Sequence, residues 1–271
     1  MAEITWGRRI GTSAPSSGNK WPVHILRCTI AFPYRSKSHR HKACSWFYMV
    51  SIDPFAFHFD AHVPDHTIVR IMDHADVAAH SGMLSTVDIQ RLAMLKDAGK
   101  RRDLERSLIA VKQELADLTG KSVSQVDLTH DSKGAPALSS SPGVHISISR
   151  TAGWSAVAVS RQNALGIDIE HMRPVDWTSM QNMVCTSEET AFLSRLGADA
   201  LPAFYRLWTA KEAVMKAVGE GFRMGARNLS LPDAFLTGAD PHATISTGHR
   251  VFSVGCTHHD HLMVSLATAT D

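Results

Sequence analysis

The chain has 271 residues, 44% of them hydrophobic and 20% charged, an ordinary globular balance with enough apolar residues for a sizeable core. A net charge of +2 is too small to argue for nucleic acid as a partner, and no apolar run is long enough to span a bilayer. The four cysteines (Cys28, Cys44, Cys185 and Cys256) form no C-x-x-C pair, so they carry no zinc or disulfide signature and fit a reducing, cytoplasmic setting.

Residues 1–45 differ from the rest. Arg8, Arg9, Lys20, Arg27, Arg35, Lys37, Arg40 and Lys42 stand against the single acid Glu3. Ser, Gly and Pro are frequent, and no periodic apolar pattern offsets the entropy of ordering. No signal-peptide core precedes a small-residue cleavage site. A transit peptide, a cloning remnant or a start upstream of a true Met49 are readings of such a segment. A loosely ordered extension without chemistry is the expectation.

Organised sequence starts near Ser45. TIVRIMDHA (67–75) predicts a strand, and 84–99 and 102–120 predict two helices, the second with apolar residues at 104, 108, 111, 115 and 118 and a stop at Gly120. SKGAPAL (132–138) reads as a turn. VHISIS (144–149), WSAVAVS (154–160) and LGIDIE (165–170) read as strands. Ser187-Glu188-Glu189 opens a helix to about Leu196, and a stronger helix runs from about Leu201 to Val218, stopped by Gly219 and Gly221. Strands follow at about 243–254 and 261–269. This order predicts an α+β chain of two similar-sized lobes, 46–162 and 163–271. The sixteen histidines are scattered. His39 and His41, and His258, His259 and His261, read as surface residues.

Two stretches carry chemistry. In GIDIE (166–170), strand alternation sends Ile167 and Ile169 to a core and sets Asp168 and Glu170 side by side on the other face. Two adjacent carboxylates are tolerated if water solvates them or if a hard cation such as Mg²⁺ sits between them. Both readings fit this pentapeptide alone. In WTAKEAVMKAVGEGF (208–222), Phe204, Leu207, Trp208, Met215 and Val218 form an apolar stripe with Glu212 and Lys216 on its flank, spaced as a surface ion pair. Lys211 falls within the stripe, where its charge must snorkel out or find a partner.

Read together, in this order and after the HISIS strand and the Gly/Pro turn, the two stretches resemble the signature pair of the 4'-phosphopantetheinyl transferases. The length is similar to that of the two-lobed, surfactin-type branch, and the likeness covers about residues 84–235. The resemblance implies a pseudo-dimer of two similar α/β lobes with the site between them, acting as a monomer without nucleic acid or membrane partners. It implies transfer of the phosphopantetheine arm of coenzyme A to a serine of an apo acyl or peptidyl carrier protein in fatty acid, polyketide or nonribosomal peptide synthesis, releasing adenosine 3',5'-bisphosphate.

The resemblance also implies roles. Asp168, Glu170 and Glu212 would bind Mg²⁺ against the coenzyme A pyrophosphate. Lys216 would neutralise the same phosphates. Glu212, or else Glu170, would take the serine proton. Ser149 and Arg150 would lie at coenzyme A, Arg150 replacing the usual histidine as a permanently charged phosphate ligand. The Gly-Lys-Pro turn is altered to Lys133-Gly134-Ala135-Pro136, so Lys133 precedes the glycine and would reach the 3'-phosphate from there. Arg101, Arg102 and Arg106 read either as a solvated helix face or as contacts to the 3'-phosphate or an acidic carrier. Met172, Pro174, Trp177, Met180 and Met183 read either as core or as a carrier-docking surface. The departures at Arg150 and Ala135 keep a second reading open: a non-catalytic coenzyme A- or carrier-binding relative.

Overall fold

The computed structural model describes residues 66–77, 81–139, 141–219 and 224–270. The chain divides into two compact units, 1–56 and 57–271, and all of these residues lie in the second. The expected basic extension, Met49, Cys28, Cys44, His39 and His41 lie outside the described residues.

In chain order the strands are β1 (Thr67–Asp73), β2 (Leu128–His130), β3 (Pro136–Leu138), β4 (His145–Thr151), β5 (Trp154–Ser160), β6 (Leu165–His171), β7 (His242–Ser246), β8 (Val251–His259) and β9 (Leu262–Ala269). The helices are α1 (Thr86–Ala93), α2 (Ala98–Thr119), α3 (Gln181–Val184), α4 (Ser187–Leu193), α5 (Ala200–Val218) and α6 (Asp233–Thr237). The mixture of helix and sheet is the expected α+β class. Among the described residues no helix is long and apolar enough to cross a membrane.

Among the described residues β1, β5 and β4 form one antiparallel sheet in that order, β6, β9, β8 and β7 form a second, and β2 and β3 pair as a small hairpin. Strand alternation organises the layers. Val157 of β5 and Ile146 of β4 pack under Val111, Leu115 and Ala116 of α2. The opposite face of β5, Ala156 and Ala158, meets Leu165, Ile167 and Ile169 of β6 and Leu262, Val264 and Leu266 of β9. The other face of the second sheet, with Met263 and Ala267, packs under Leu207, Ala210 and Val214 of α5. The sequence of layers is helix, sheet, sheet, helix.

Several boundaries differ from the sequence reading. The first helix is expected to run to residue 99. It ends at Ala93, because Asp97 accepts from the Lys100 N–H and so caps α2 instead. Arg101 bonds the Leu95 carbonyl across this break, and buried Lys112 pairs with Asp88 to hold α1 on α2. The 132–138 turn is the tip of the β2–β3 hairpin, with its last three residues in β3. The tail strand expected at 243–254 is two strands, because Thr247–Arg250 turns the chain back between β7 and β8. Strands β1, β4, β5, β6 and β9 and helix α5 match the reading to within two residues at each end.

Candidate functional site at the seam of β4, β6 and α5

Strands β4 and β6 are the facing edges of the two sheets. They run in the same direction, and hydroxyl side chains join them where backbone pairing would otherwise be. Ser147 Oγ accepts from the Ile167 N–H at 3.0 Å, and Thr151 Oγ1 accepts from the His171 N–H at 3.1 Å. Between them, Ser149 Oγ donates to Asp168 Oδ1 at 2.7 Å. The alternating hydroxyls of HISISRT thus cover an edge and aim at the acid strand.

Gly166 brings α5 onto this strand. A Cβ there would lie 2.0 Å from the Ala213 carbonyl oxygen and 2.6 Å from the Ala217 nitrogen. With no side chain at 166, the α5 backbone sits directly on β6, and Lys216 and Glu212 reach the face that carries Asp168 and Glu170. This is why the glycine precedes the paired acids.

Ile167 and Ile169 are fully buried, as the alternation predicts. Asp168 is not a solvated surface acid: it is only 4% exposed. Lys216 Nζ donates to Asp168 Oδ1 at 2.7 Å, to Ser149 Oγ at 2.8 Å and to the Ile167 carbonyl at 3.1 Å. The Glu212–Lys216 ion pair expected from the spacing is therefore replaced by Asp168–Lys216. Two buried carboxylate oxygens, Asp168 Oδ2 and Glu212 Oε1, have no hydrogen-bond partner among the described residues. Glu170 Oε2 accepts weakly from Thr151 Oγ1 at 3.3 Å.

The electrostatics follow from this crowding. Burial, then the Asp168 carboxylate, pushes Glu212 up to about 7 against the pull of Lys216. Burial and Asp168 push Glu170 up to about 6, opposed by Thr151, Lys216 and Arg173. Burial and the shared negative charge outweigh the nearby lysine and arginine at both carboxylates. Among the described residues no three His, Cys, Asp or Glu side chains are gathered closely enough to hold a metal by themselves.

The other expected site residues are placed differently. Arg150 follows Ser149 on β4 and so points to the α2 side of the sheet. There burial, then the neighbouring charge of Arg91, holds its guanidinium below its usual range, with Asp103 opposing. His130 is lowered too, by burial and then by Arg91 and Arg150. Arg91 belongs to this basic group, and no spacing in the sequence singles it out. Lys133 is exposed at the β2–β3 tip, its backbone N–H donating to Asp131 Oδ1. Arg102 and Arg106 are exposed on α2.

Lys211 does not snorkel but finds buried partners. Fully buried, it donates to Glu189 Oε2 at 2.5 Å and to the Val184 carbonyl at 2.9 Å. Of the residues read as core or docking surface, Met172, Trp177 and Met180 pack on the core around α5, whereas Met183 is 56% exposed.

Residues 164–261, which carry β6, α5 and most of the last sheet, match the family described as the 4'-phosphopantetheinyl transferase superfamily. The chain is 26% identical over 136 residues to the 4'-phosphopantetheinyl transferase psf-1 of Bacillus pumilus, covering 50% of this chain and 57% of that protein. It is 31% identical over 111 residues to the 4'-phosphopantetheinyl transferase AcpT of Salmonella typhimurium, covering 40% of this chain and 58% of that protein. To the 4'-phosphopantetheinyl transferase Sfp of Bacillus subtilis it is 31% identical over 103 residues, covering 38% and 42%. The matched region thus spans less than two thirds of each of these relatives. The part that matches the family model contains Asp168, Glu170, Glu212 and Lys216 together, and in this part the chain is similar to the 4'-phosphopantetheinyl transferases.

Proposed function

We propose that the chain transfers the 4'-phosphopantetheine arm of coenzyme A to a serine of an apo acyl or peptidyl carrier protein, releasing adenosine 3',5'-bisphosphate. The similarity of residues 164–261 to that superfamily supports this reaction. The observation that carries it to these residues is the pair of buried, partnerless oxygens, Asp168 Oδ2 and Glu212 Oε1, facing a seam that also holds Lys216.

That donor set fits Mg²⁺, which takes one or two protein carboxylates and completes its shell with water and substrate phosphates. Asp168 and Glu212 would hold it, with Glu170 beside them. When bound, Mg²⁺ would neutralise the pyrophosphate and stabilise the departing bisphosphate.

The chain's own residues have distinct tasks. The serine oxygen forms a bond to the phosphorus bearing the pantetheine arm, and the bond from that phosphorus to the bridging oxygen breaks. Lys216 presents a cation to the phosphoryl oxygens, where negative charge grows in the transition state. Ser149 orients Asp168 and Lys216. Glu212 would take the serine proton, with Glu170 as the second choice. Arg150 and Arg91 supply a positive group on the α2 side for the remaining phosphates, and exposed Met183 offers an apolar contact to the carrier.

The two helix-covered sheets are read as the two lobes, 46–162 and 163–271, of a surfactin-type monomer working in the cytoplasm. Each sheet has its own long helix, and the site sits where their edges meet. Intact mass of a panel of apo carriers, incubated with coenzyme A, the protein and either Mg²⁺ or EDTA, tests the proposal. A gain of one phosphopantetheine arm in the Mg²⁺ arm alone is expected. No gain on any carrier, from a folded chain that binds coenzyme A, would turn the assignment to the non-catalytic relative.

A further inference from the structure

A polar network outside the acid site uses residues that the proposed reaction leaves without a role. His74, 2% exposed, has Nδ1 2.6 Å from Asp103 Oδ1 of α2 and Nε2 2.8 Å from Ser155 Oγ of β5. Ser155 Oγ lies 2.7 Å from Ser107 Oγ of α2. This is an Asp–His–Ser constellation, but Ser155 is completely buried and so cannot serve as a nucleophile.

What the network touches is the turn between β4 and β5. Thr151 and Trp154 pair across it, leaving Ala152 and Gly153 as the two turn residues. The turns that match the twist of a two-residue hairpin need positive φ at both residues or at the first. Here Gly153 has φ +79°, and among the described residues the only non-glycine with positive φ is Asp260. The turn therefore lacks the self-supporting geometry and is held from outside. The His74 N–H donates to the Gly153 carbonyl at 2.8 Å, and the Gly153 N–H donates to Asp103 Oδ1 at 3.2 Å. Ser155, the partner of His74, lies directly across the ladder from Arg150. The turn thus sets the place of Arg150 on one face and of Thr151, which bonds Glu170, on the other.

We infer that Asp103 and His74 are positioning residues for coenzyme A binding: they clamp the Ala152–Gly153 turn onto α2 and so fix Arg150 and Thr151. The inference rests on the transferase reading for its ligand.

Asp103→Ala removes the clamp's acceptor. Asp103→Asn keeps an oxygen there while removing the charge that Arg150 feels. Two measurements on the full chain separate the possibilities. Amide exchange across 151–155, which needs no ligand, is expected to accelerate at least about 10-fold in Asp103→Ala and to stay near wild type in Asp103→Asn. Coenzyme A affinity by calorimetry is expected to weaken about 10-fold in Asp103→Ala, to be restored in Asp103→Asn, and to be no weaker in the Asp103→Ala/Arg150→Ala double variant than in Arg150→Ala alone. Unchanged exchange in Asp103→Ala, equal effects of Ala and Asn, or multiplicative losses in the double variant would each overturn the clamp. Failure of the wild type to bind coenzyme A would instead refute the transferase reading, and with it the ligand named here, while the exchange result alone decides whether the turn is clamped.

Discussion

Helix α5 carries two lysines that meet buried carboxylates, and the two regions end differently. Around Lys211 every group is satisfied. Glu189 Oε2 accepts from Lys211 and from the Thr186 N–H at 2.8 Å, and Oε1 accepts from the Leu231 N–H at 3.0 Å. The result ties α4, the chain at Val184 and the segment before α6 to the helix. Around Lys216 the carboxylates keep spare oxygens, at Asp168 Oδ2 and Glu212 Oε1. The first region spends its polar atoms on the fold. The second leaves them unpaired, at a cost in stability, in the place where a ligand can use them. Saturation of the polar groups, more than burial or charge, separates the structural pair from the site.

The largest expected effect tests the saturated region. Lys211→Met leaves Glu189 buried without its cation and should cost about 3 to 5 kcal/mol. Thermal unfolding would read this as a fall in Tm of about 10 °C, at about 2 to 4 °C per kcal/mol for a domain of this size. Adding Glu189→Gln, which removes the stranded charge and keeps an acceptor for one of the two backbone donors, should recover part of the loss. A Lys211→Met chain as stable as wild type would erase the contrast. Asp168→Asn tests the open region. It should lower transfer about 100- to 1000-fold while Tm holds or rises, because a buried charge with an unpaired oxygen is gone. Carrier mass and calorimetry on one preparation decide it.

Gly166→Ala should strike both properties. Its Cβ would meet the Ala213 carbonyl oxygen at 2.0 Å, and no rotamer relieves a backbone collision. An overpacking cost of about 3 kcal/mol is expected, together with loss of transfer as Lys216 is lifted from Asp168. A variant that loses stability and keeps full transfer would show that the contact between α5 and β6 does not set the site.

The sequence made much of this legible, and the gaps have physical causes. GIDIE declared itself because strand period and charge coincide, and α5 because its apolar stripe and glycine stop agree. The motif singles out Lys216 but not its partner, because local spacing points to Glu212 and the actual partner, Asp168, is on a strand 48 positions away. Lys211 was ambiguous for the same reason: Glu189 caps a different helix. The role of Ser147 and Thr151 was readable in principle, since hydroxyls alternate through HISISRT. Arg91 and the His74–Asp103 pair carried no signal, because their meaning comes only from how α1, α2 and β1 pack around a turn.

The smallest expected effect concerns protons, and it sharpens the contrast from the other side. Glu212 is held up to about 7 and Glu170 up to about 6, first by burial and then by Asp168, above the ordinary 4.5 they regain on unfolding. Between those values the folded chain binds more protons than the unfolded one. The stabilisation is complete below about pH 4.5 and is lost as pH rises through 6 and 7. Each unit is worth about 1.36 kcal/mol, and partial exposure and mutual coupling of the two acids bring the sum to about 2 kcal/mol. The ligand-free chain should therefore melt lower at pH 8 than at pH 5.5. Glu212→Gln, which removes the higher-titrating acid, should flatten most of that slope. Lys211→Met, by contrast, should lower the whole curve without flattening it. A slope unchanged by Glu212→Gln would mean that the spare oxygens of the seam are not what the chain gives up stability to keep.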